Sequence, residues 1–398
     1  MIKNLLFAIT LTVTINSFAG DTTNIQVHDH TDMTWNGNYD EWGVFPDGSK
    51  TYRKIYLHYT MGCASSGCSD WDYTTKIEVL HRTGQLDTSL NEIIESYELA
   101  RVITPYGNGL NNNWEFTHIF DITDFASILQ DSVEIRAHYG GWSSGFSATL
   151  DFEFIEGTPP RNVTSLQNIY SGGCSYTTSS AFEQSCLPPK MFWVDANSTQ
   201  AMVKMTTTGH GFDNNIYAAE FKPIDYYVKI DGNLTHTQFN WDPNCGENPI
   251  YPQGGTWILD RANWCPGTRA QTFDHEITNY ITSSDSVEIN VNFQSYSWSG
   301  TQTPSYIIDC QLFLYEGSNF TNDVEITDII KPSLKDEYSR FNPICGKPLI
   351  KIRNYGSDPL TSVVIEYGVE GGVIHTYTWN GSLVFLEEEE VELPLLQN

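Results

Sequence analysis

The chain has 398 residues, of which 49 are acidic and 21 basic, so its formal net charge at pH 7 is −28. Such an acidic surface repels nucleic acid and anionic membranes, which argues against a nucleic-acid-binding role. The length exceeds what a single core usually organises, so we expect two or three domains.

The N-terminus has the pattern of a secretory signal peptide over residues 1–19. Lys3 precedes an apolar run from Leu5 to Ile15, and Ser17-Phe18-Ala19 supplies the small residues that a signal peptidase requires. This run is too short for a membrane anchor, and no later stretch is apolar for long enough to span a bilayer. We therefore expect an exported protein, located in the periplasm, at the cell surface or outside the cell.

The downstream sequence is dominated by short β-strand patterns, in which β-branched and aromatic runs alternate with Gly, Asn, Asp and Ser clusters. This pattern predicts an all-β sandwich or jelly roll. One weak helical segment is predicted between Ile122 and Leu129. Asp131-Ser-Val-Glu-Ile135 recurs as Asp285-Ser-Val-Glu-Ile289, and a later strand in each half ends in Glu-Gly. The repeat predicts two consecutive β domains of similar design, over residues 20–160 and 161–320.

The first chemically informative motif is Cys63-Ala-Ser-Ser-Gly-Cys68-Ser-Asp-Trp71-Asp72. Two cysteines at this spacing can close a tight loop, and Asp72 would then lie beside the Trp71 indole. An aromatic face packs against the C–H face of a sugar while a carboxylate transfers protons, so the motif suits a sugar-handling site. The alternative is a stapled surface turn in which Asp72 caps backbone N–H groups.

Eight cysteines follow the signal peptide, an even number that predicts four disulfides in an exported chain rather than metal ligands. The sequence does not fix their pairing. Proximity favours Cys63–Cys68 and Cys174–Cys186, which leaves Cys245–Cys265 and Cys310–Cys345.

Two later segments contain further candidate site residues. Glu220 follows two alanines after the glycine-rich break Gly209-His-Gly211, and Asp260-Arg261-Ala-Asn-Trp264-Cys265 places a cation, an indole and a cysteine in one turn. Taken singly, Glu220 is an ordinary acid at a strand edge and Asp260-Arg261 is a local ion pair.

Residues 325–398 have a different pattern, which predicts a small C-terminal β-sandwich. Three strand-like runs are followed by the acidic run Glu387 to Glu390. The pattern ends without a closing feature, so an incomplete third domain is one expectation. A domain in this position is more often a spacer or docking module than a catalytic unit.

Together these segments resemble the bacterial peptide-N-glycosidase F family, in order from about residue 45 to 318. The most specific shared string is Asp260-Arg-Ala-Asn-Trp-Cys-Pro-Gly267, and the C-terminal domain is not covered. The other matching segments are Cys63…Cys68-Ser-Asp-Trp71-Asp72, Ile103-Thr-Pro-Tyr106, Ile122-Thr-Asp-Phe125, Asp151-Phe-Glu-Phe154, Gly157-Thr-Pro159, Thr208-Gly-His-Gly211, Ala219-Glu220 and Phe293-Gln-Ser295.

The resemblance implies two eight-stranded antiparallel jelly-roll domains packed side by side, and a monomer. It implies hydrolysis of the amide that joins an Asn-linked glycan to a peptide, with no metal or other cofactor. Asp72 would activate water and contact the innermost sugar, and Glu220 would be the second carboxylate of the cleft. Trp71, Trp142, Arg261 and Trp264 would line this cleft and bind the substrate, an N-linked glycopeptide or glycoprotein.

Three departures from the family pattern leave other functions open. Gly140 stands where the family has a third cleft glutamate, Tyr73 replaces a basic residue, and Ala218 and Lys222 replace a disulfide. These changes are consistent with a different substrate, a changed mechanism in which His138 or Tyr139 moves the proton, or an inactive site. The alternatives are a non-catalytic glycan- or glycoprotein-binding protein and a cell-surface structural protein.

Overall fold

The computed structural model describes residues 20–213, 215–298, 302, 304–341 and 346–396, and the predicted signal peptide lies outside them. The described chain is almost entirely antiparallel β structure, which confirms the predicted fold class. It has one α-helix, α1 (Ser179–Cys186), in a loop for which no helix was predicted. None of the helices in these ranges is both long enough and apolar enough to cross a membrane.

The first sandwich consists of two four-stranded sheets, in the orders β1-β8-β3-β6 and β2-β7-β4-β5. Large apolar side chains from both sheets form its core, and Leu57, Ile77 and Phe152 among them are fully buried. The period of two along each strand explains why these residues reach the core while their neighbours face outward. Its strands are β1 (Thr22–Met33), β2 (Gly37–Val44), β3 (Tyr52–Cys63), β4 (Thr74–Leu86), β5 (Glu92–Ile103), β6 (Glu115–Asp121), β7 (Ser132–Tyr139) and β8 (Phe146–Glu156).

The second sandwich repeats this topology strand for strand, with the orders β9-β16-β11-β14 and β10-β15-β12-β13. The two copies of the Ser-Val-Glu-Ile repeat begin β7 and β15, which occupy equivalent places. A 3₁₀ helix precedes each, Thr123–Ile128 and Thr278–Tyr280, so the repeated sequence occupies equivalent places in the two sandwiches. Its strands are β9 (Arg161–Ser175), β10 (Lys190–Val194), β11 (Gln200–His210), β12 (Asp225–Ile230), β13 (Asn233–Phe239), β14 (Thr272–Glu276), β15 (Asp285–Phe293) and β16 (Ser305–Ser318).

A small C-terminal sandwich pairs a three-stranded sheet, β17-β18-β21, with the hairpin β19-β20. It has its own small core around Ile352 and Trp379. Arg53 of the first sandwich bonds to Asp323 and Glu325, at 2.8 and 2.7 Å, and so fixes the start of this unit. Its strands are β17 (Val324–Lys331), β18 (Leu349–Asn354), β19 (Leu360–Gly368), β20 (Ile374–Leu383) and β21 (Glu388–Glu392), and 3₁₀ helices lie at Asp336–Phe341 and Cys245–Glu247.

The two large sandwiches pack side by side along β5. The Arg101 guanidinium donates to the Ile307 carbonyl at 2.7 Å, and the Ile103 backbone exchanges hydrogen bonds with the loop before β14. The rings of Phe125 and Phe313 meet edge to face at 5.2 Å. Backbone bonds and aromatic packing across the junction therefore fix how the loops of one sandwich face those of the other.

In both large sandwiches, the connections that leave odd-numbered strands lie at the same end. In the first they are residues 34–36, 64–73, 104–114 and 140–145, and in the second 176–189, 211–224, 240–271 and 294–304. This end of the molecule also holds the three disulfides, Cys63–Cys68, Cys174–Cys186 and Cys245–Cys265. The jelly-roll topology thus collects residues distant in sequence into one row of loops.

The predicted pairing of Cys310 with Cys345 stays a prediction, because Cys345 lies outside the described residues. Cys310 is fully buried in the core of the second sandwich, and no disulfide joins it to another described residue. The thiol lies in β16, the central strand between β9 and β11, where core side chains surround it. Burial raises the pKa of this thiol well above its usual value, so it behaves as a small apolar side chain.

Candidate active site

Asp72 lies at the end of the connection from β3 to β4, and close packing holds the backbone before it. Gly107 and Gly145 approach Ser69 from two sides, and a Cβ on either would lie less than 2.5 Å from its backbone. Thr104 accepts from the Tyr73 N–H at 2.7 Å and donates to the Trp71 carbonyl at 2.8 Å. The backbone on both sides of Asp72 is therefore fixed to the start of the next connection.

Glu220 comes from the second sandwich, in the connection between β11 and β12. Its backbone N–H donates to the Gly211 carbonyl at 3.0 Å, and its carbonyl accepts from the Ala262 N–H at 2.9 Å. The Gly211 N–H also donates to Glu220 Oε2 at 2.9 Å. Three backbone hydrogen bonds thus fix this carboxylate opposite Asp72.

Arg261 joins the two carboxylates. Its Nε donates to Glu220 Oε1 at 2.9 Å, and its Nη2 lies 4.0 Å from Asp72 Oδ2. Its other donors bond to the Thr256 oxygens and the Leu259 carbonyl, and the side chain is completely buried. Taken singly, the sequence of that segment favours an ion pair between Asp260 and Arg261. In the structure, Arg261 instead bonds to Glu220.

Trp264 forms the floor beneath Arg261. The guanidinium carbon lies 4.8 Å from the centre of the indole, whose Nε1 donates to the Gly209 carbonyl at 2.7 Å. His210 stacks on the other side of Trp264, with ring centres 5.2 Å apart. Burial lowers the pKa of His210 to about 3, so its imidazole is neutral and adds no charge to the site.

Both carboxylates are harder to ionise than ordinary surface acids. Burial raises the pKa of Asp72, although Tyr106 and Arg261 oppose this effect. Burial also raises the pKa of Glu220, against the opposing charge of Arg261, and the nearby charge of Asp72 raises it further. Two acids that share one cation titrate as a coupled pair, and such a pair can accept and return a proton.

Tyr106 is a site residue to which sequence reasoning assigned no role. Its hydroxyl hydrogen-bonds to the Asp72 carboxylate and lies 3.3 Å from both Arg261 Nη2 and Thr256 Oγ1. Burial and the charge of Asp72 raise the pKa of Tyr106 to about 12, so the phenol keeps its proton and donates it. The only sequence signal was its place in the Ile103-Thr-Pro-Tyr106 match.

The other predicted site residues lie at the rim. Trp71 and Trp142 are 60% and 62% exposed, so neither is buried with the carboxylates. Gly140 donates its N–H to the Thr74 carbonyl at 2.9 Å. The suggested substitutes for the missing acid are engaged elsewhere, because Tyr139 donates from the core to the Ser143 carbonyl and His138 bonds to Asn38 Oδ1.

Possible metal ligands are limited in the part of the chain that the structure describes. The single group with suitable spacing there is Asp242, Cys245 and Cys265. Its two cysteines are joined in a disulfide and cannot act as thiolate ligands.

A cavity of about 970 Å³ lies away from these carboxylates, between the two large sandwiches and the C-terminal one. Its walls include Asp124, Arg161, Lys204, Asp274 and Arg353. Lys204 bonds to Asp124 and Asp274, at 3.0 and 3.2 Å, and Arg161 bonds to Glu276 at 3.0 Å. These cations therefore have partners within the protein.

Comparisons with known proteins match the part of the chain that carries this site. The family model described as peptide-N-glycosidase F, C terminal, matches residues 177–312. Peptide-N(4)-(N-acetyl-beta-D-glucosaminyl)asparagine amidase F of Elizabethkingia miricola is 25% identical over 305 residues, which cover 73% of this chain and 83% of that protein.

Solved structures show the same fold. The crystal structure of a peptide-N(4)-(N-acetyl-beta-D-glucosaminyl)asparagine amidase has a TM-score of 0.62 and 24% identity, with 74% of this chain and 96% of that chain covered. The structure of PNGF-II has a TM-score of 0.56 and 16% identity, with 74% and 66% covered.

Proposed function

Because the chain belongs to the peptide-N-glycosidase F family, we propose that it hydrolyses the amide between an N-linked glycan and asparagine in glycoproteins or glycopeptides. The observation that carries the proposal is the convergence of Asp72 and Glu220, one from each sandwich, on the single buried cation of Arg261. The three disulfides and the sequence of residues 1–19 support export from the cell.

Asp72 is the proposed general base and acid. Its ionised carboxylate takes a proton from water as the water oxygen attacks the carbonyl carbon of the asparagine side chain. The C–N bond then breaks, and the departing glycosylamine nitrogen receives the proton from Asp72. The products are aspartate in the peptide and a glycosylamine. The raised pKa of Asp72 suits a group that must both accept and return this proton.

Arg261 and Tyr106 are positioning residues in this scheme. Arg261 donates to Glu220, to the Leu259 carbonyl and to the Thr256 oxygens, so the cation orients Glu220 and moderates the charge of the pair. The Tyr106 hydroxyl orients Asp72 by hydrogen bonding. Glu220, tied to Arg261 and to the Gly211 N–H, supplies a second acceptor at the cleft.

The test uses the exported form, residues 20–398, with its disulfides formed, and a denatured N-glycoprotein. We expect mass spectrometry to detect conversion of glycosylated asparagine to aspartate. Asp72→Asn should lower kcat by about 10² to 10⁴, the range that a general acid–base contributes. Asp70→Asn is the matched control, because Asp70 is an exposed carboxylate in the same connection, and its rate should be unchanged.

A second candidate function, glycan binding without hydrolysis, is favoured by Gly140 in place of the family's third acid. It predicts retention on a glycopeptide column with no conversion to aspartate. Undiminished hydrolysis in Asp72→Asn would overturn the assigned role of Asp72, and an absence of hydrolysis in the unaltered protein would favour the binding function.

A further inference from the structure

Exposed indoles cluster at the end of the first sandwich that carries Asp72. Trp35, Trp71 and Trp142 lie in three different connections, and their exposed fractions are 55%, 60% and 62%. A soluble protein gains nothing in stability by exposing three large aromatic side chains together. Such a group marks a binding surface.

Trp35 and Trp142 form a corner. Their ring centres are 6.2 Å apart and their planes are inclined at 84°. The Tyr39 hydroxyl fixes the backbone of Trp35, because it accepts from the Trp35 N–H and donates to the Trp35 carbonyl, both at 3.1 Å. Trp142 instead follows Gly140 and Gly141. One wall of the corner is therefore held rigidly, and the other lies on a glycine-rich turn.

Hydrogen bonds connect this corner to the segment that carries Asp72. Ser143, next to Trp142, bonds through its hydroxyl to that of Ser69 at 2.7 Å. Asp32, just before the Trp35 turn, accepts from the Ser65 N–H at 3.0 Å. The corner and Asp72 thus belong to one interlocked group of loops.

We propose that Trp35 and Trp142 form an outer saccharide subsite, which binds sugars of the glycan beyond the one attached to asparagine. The proposal rests on the proposed function and assigns part of its substrate specificity to Trp35. Two indole faces at a right angle offer one plane for stacking the C–H face of a pyranose and a second for its edge. The neighbouring Ser66 and Ser144 hydroxyls, 2.6 Å apart, can bond to sugar hydroxyls.

The charge of these loops favours neutral sugars. Residues 34–36, 64–73 and 140–145 contain no lysine or arginine, and they include Asp70 and Asp72. A carboxylated sugar would find no cation among them and would be repelled by these acids. The serine hydroxyls and indoles match a neutral oligosaccharide, whose hydroxyls can bond to the serines while its C–H faces stack on the indoles.

The test measures binding in the Asp72→Asn background, so that the substrate stays intact. Two glycopeptides of the same sequence are compared, one with a single N-acetylglucosamine and one with a neutral branched oligosaccharide. We expect Trp35→Ala to raise the dissociation constant for the long glycan about tenfold, as loss of an aromatic stacking contact predicts. The constant for the single sugar should stay within about twofold, and Trp35→Phe should restore most of the loss.

Trp42→Ala is the matched control. Trp42 is 52% exposed on β2, stacks on Arg82 and pairs with Glu134, towards the opposite end of the strand. This variant should bind both glycopeptides as the Asp72→Asn parent does. The subsite would be overturned if Trp35→Ala weakened binding of the short and long glycans equally. It would also be overturned if the unglycosylated peptide bound as tightly as the glycopeptides, because the corner would then bind peptide.

The two proposals fail separately. If the unaltered protein hydrolyses both substrates and Trp35→Ala leaves their kcat/KM ratio unchanged, the subsite is wrong and the amidase stands. If the unaltered protein hydrolyses neither, but loses its preference for the long glycan in Trp35→Ala, the subsite stands and the amidase is wrong.

Discussion

Charged side chains meet both in the cavity and at the candidate active site, and the two places differ in how closely cations contact the carboxylates. In the cavity, Lys204 bonds to two aspartates at 3.0 and 3.2 Å, and Arg161 bonds to a glutamate at 3.0 Å. In the candidate active site, Arg261 bonds to Glu220 at 2.9 Å but lies 4.0 Å from Asp72. The cavity thus has two cations for these three carboxylates, each in direct contact with a cation, whereas the site has one cation for two.

The carboxylates of the cavity and of the candidate active site also differ in the direction of their pKa shifts. Burial would raise the pKa of Asp124 in the cavity wall, but the charges of Lys204 and Arg161, together with a hydrogen bond from Lys204, outweigh it and the pKa is lowered. The pKa of Asp72 and that of Glu220 are both raised, because burial outweighs the shared cation. A raised pKa suits an acid that must accept and return a proton, and the lowered pKa of Asp124 fits an acid held in an ion pair. Close contact with cations therefore separates the two places better than cavity volume does.

The largest expected effect on stability comes from Lys204→Met, which removes a cation from the cavity. Two partly exposed carboxylates would lose their charged hydrogen-bond partner, so the free energy of unfolding should fall by about 2 kcal/mol. Because Lys204 lies away from Asp72 and Glu220, kcat/KM should stay close to that of the unaltered protein. Chemical denaturation and hydrolysis of a glycopeptide measure the two quantities. A large loss of kcat/KM with unchanged stability would place the cavity in the catalytic machinery.

A smaller effect is expected from Tyr106→Phe, which removes a hydrogen bond that lowers the pKa of Asp72. That pKa should rise further, so the acid limb of the pH–rate profile should move to higher pH. The rate should fall severalfold on that limb and recover at higher pH, since Asp72 is then ionised. Tyr280→Phe, at an exposed tyrosine of the second sandwich, is the control and should leave the profile in place. A uniform loss of rate at every pH would contradict this role.

Much of the fold was predictable because its signals are local. Strand periodicity and turn residues predict the all-β class, and the repeated Ser-Val-Glu-Ile segment marks β7 and β15 as equivalent strands. The cysteine count also predicts a fourth disulfide, between Cys310 and Cys345. Cys310 lies in a strand whose residues are buried on both faces, and Cys345 lies outside the described residues, so this pairing stays a prediction.

The site was predictable only in part, because its contacts are not local. Asp72 and Glu220 were named from matched motifs, but only the packing of the two sandwiches brings both to Arg261. Nothing in Thr34-Trp35-Asn36 distinguishes the Trp35 indole from any exposed turn residue, and its contact with Trp142 depends on the distant β7–β8 connection. Tyr106 was within a matched segment, yet its hydrogen bond to Asp72 follows from tertiary structure alone.

The smallest expected effect is a change in Tm, whose sign should differ between a variant of Asp72 in the site and a variant of Asp124 in the cavity wall. Since the pKa of Asp72 is raised in the folded state, its ionisation costs stability as the pH rises through that value. Asp72→Asn should therefore raise the Tm at neutral pH, and the gain should vanish below the unfolded pKa of about 3.9. Asp124→Asn should lower the Tm at neutral pH, because its lowered pKa adds stability that disappears as the pH falls through the folded-state value. Thermal unfolding of both variants across this pH range measures the signs. Tm changes of the same sign would mean that contact with cations does not separate the site from the cavity.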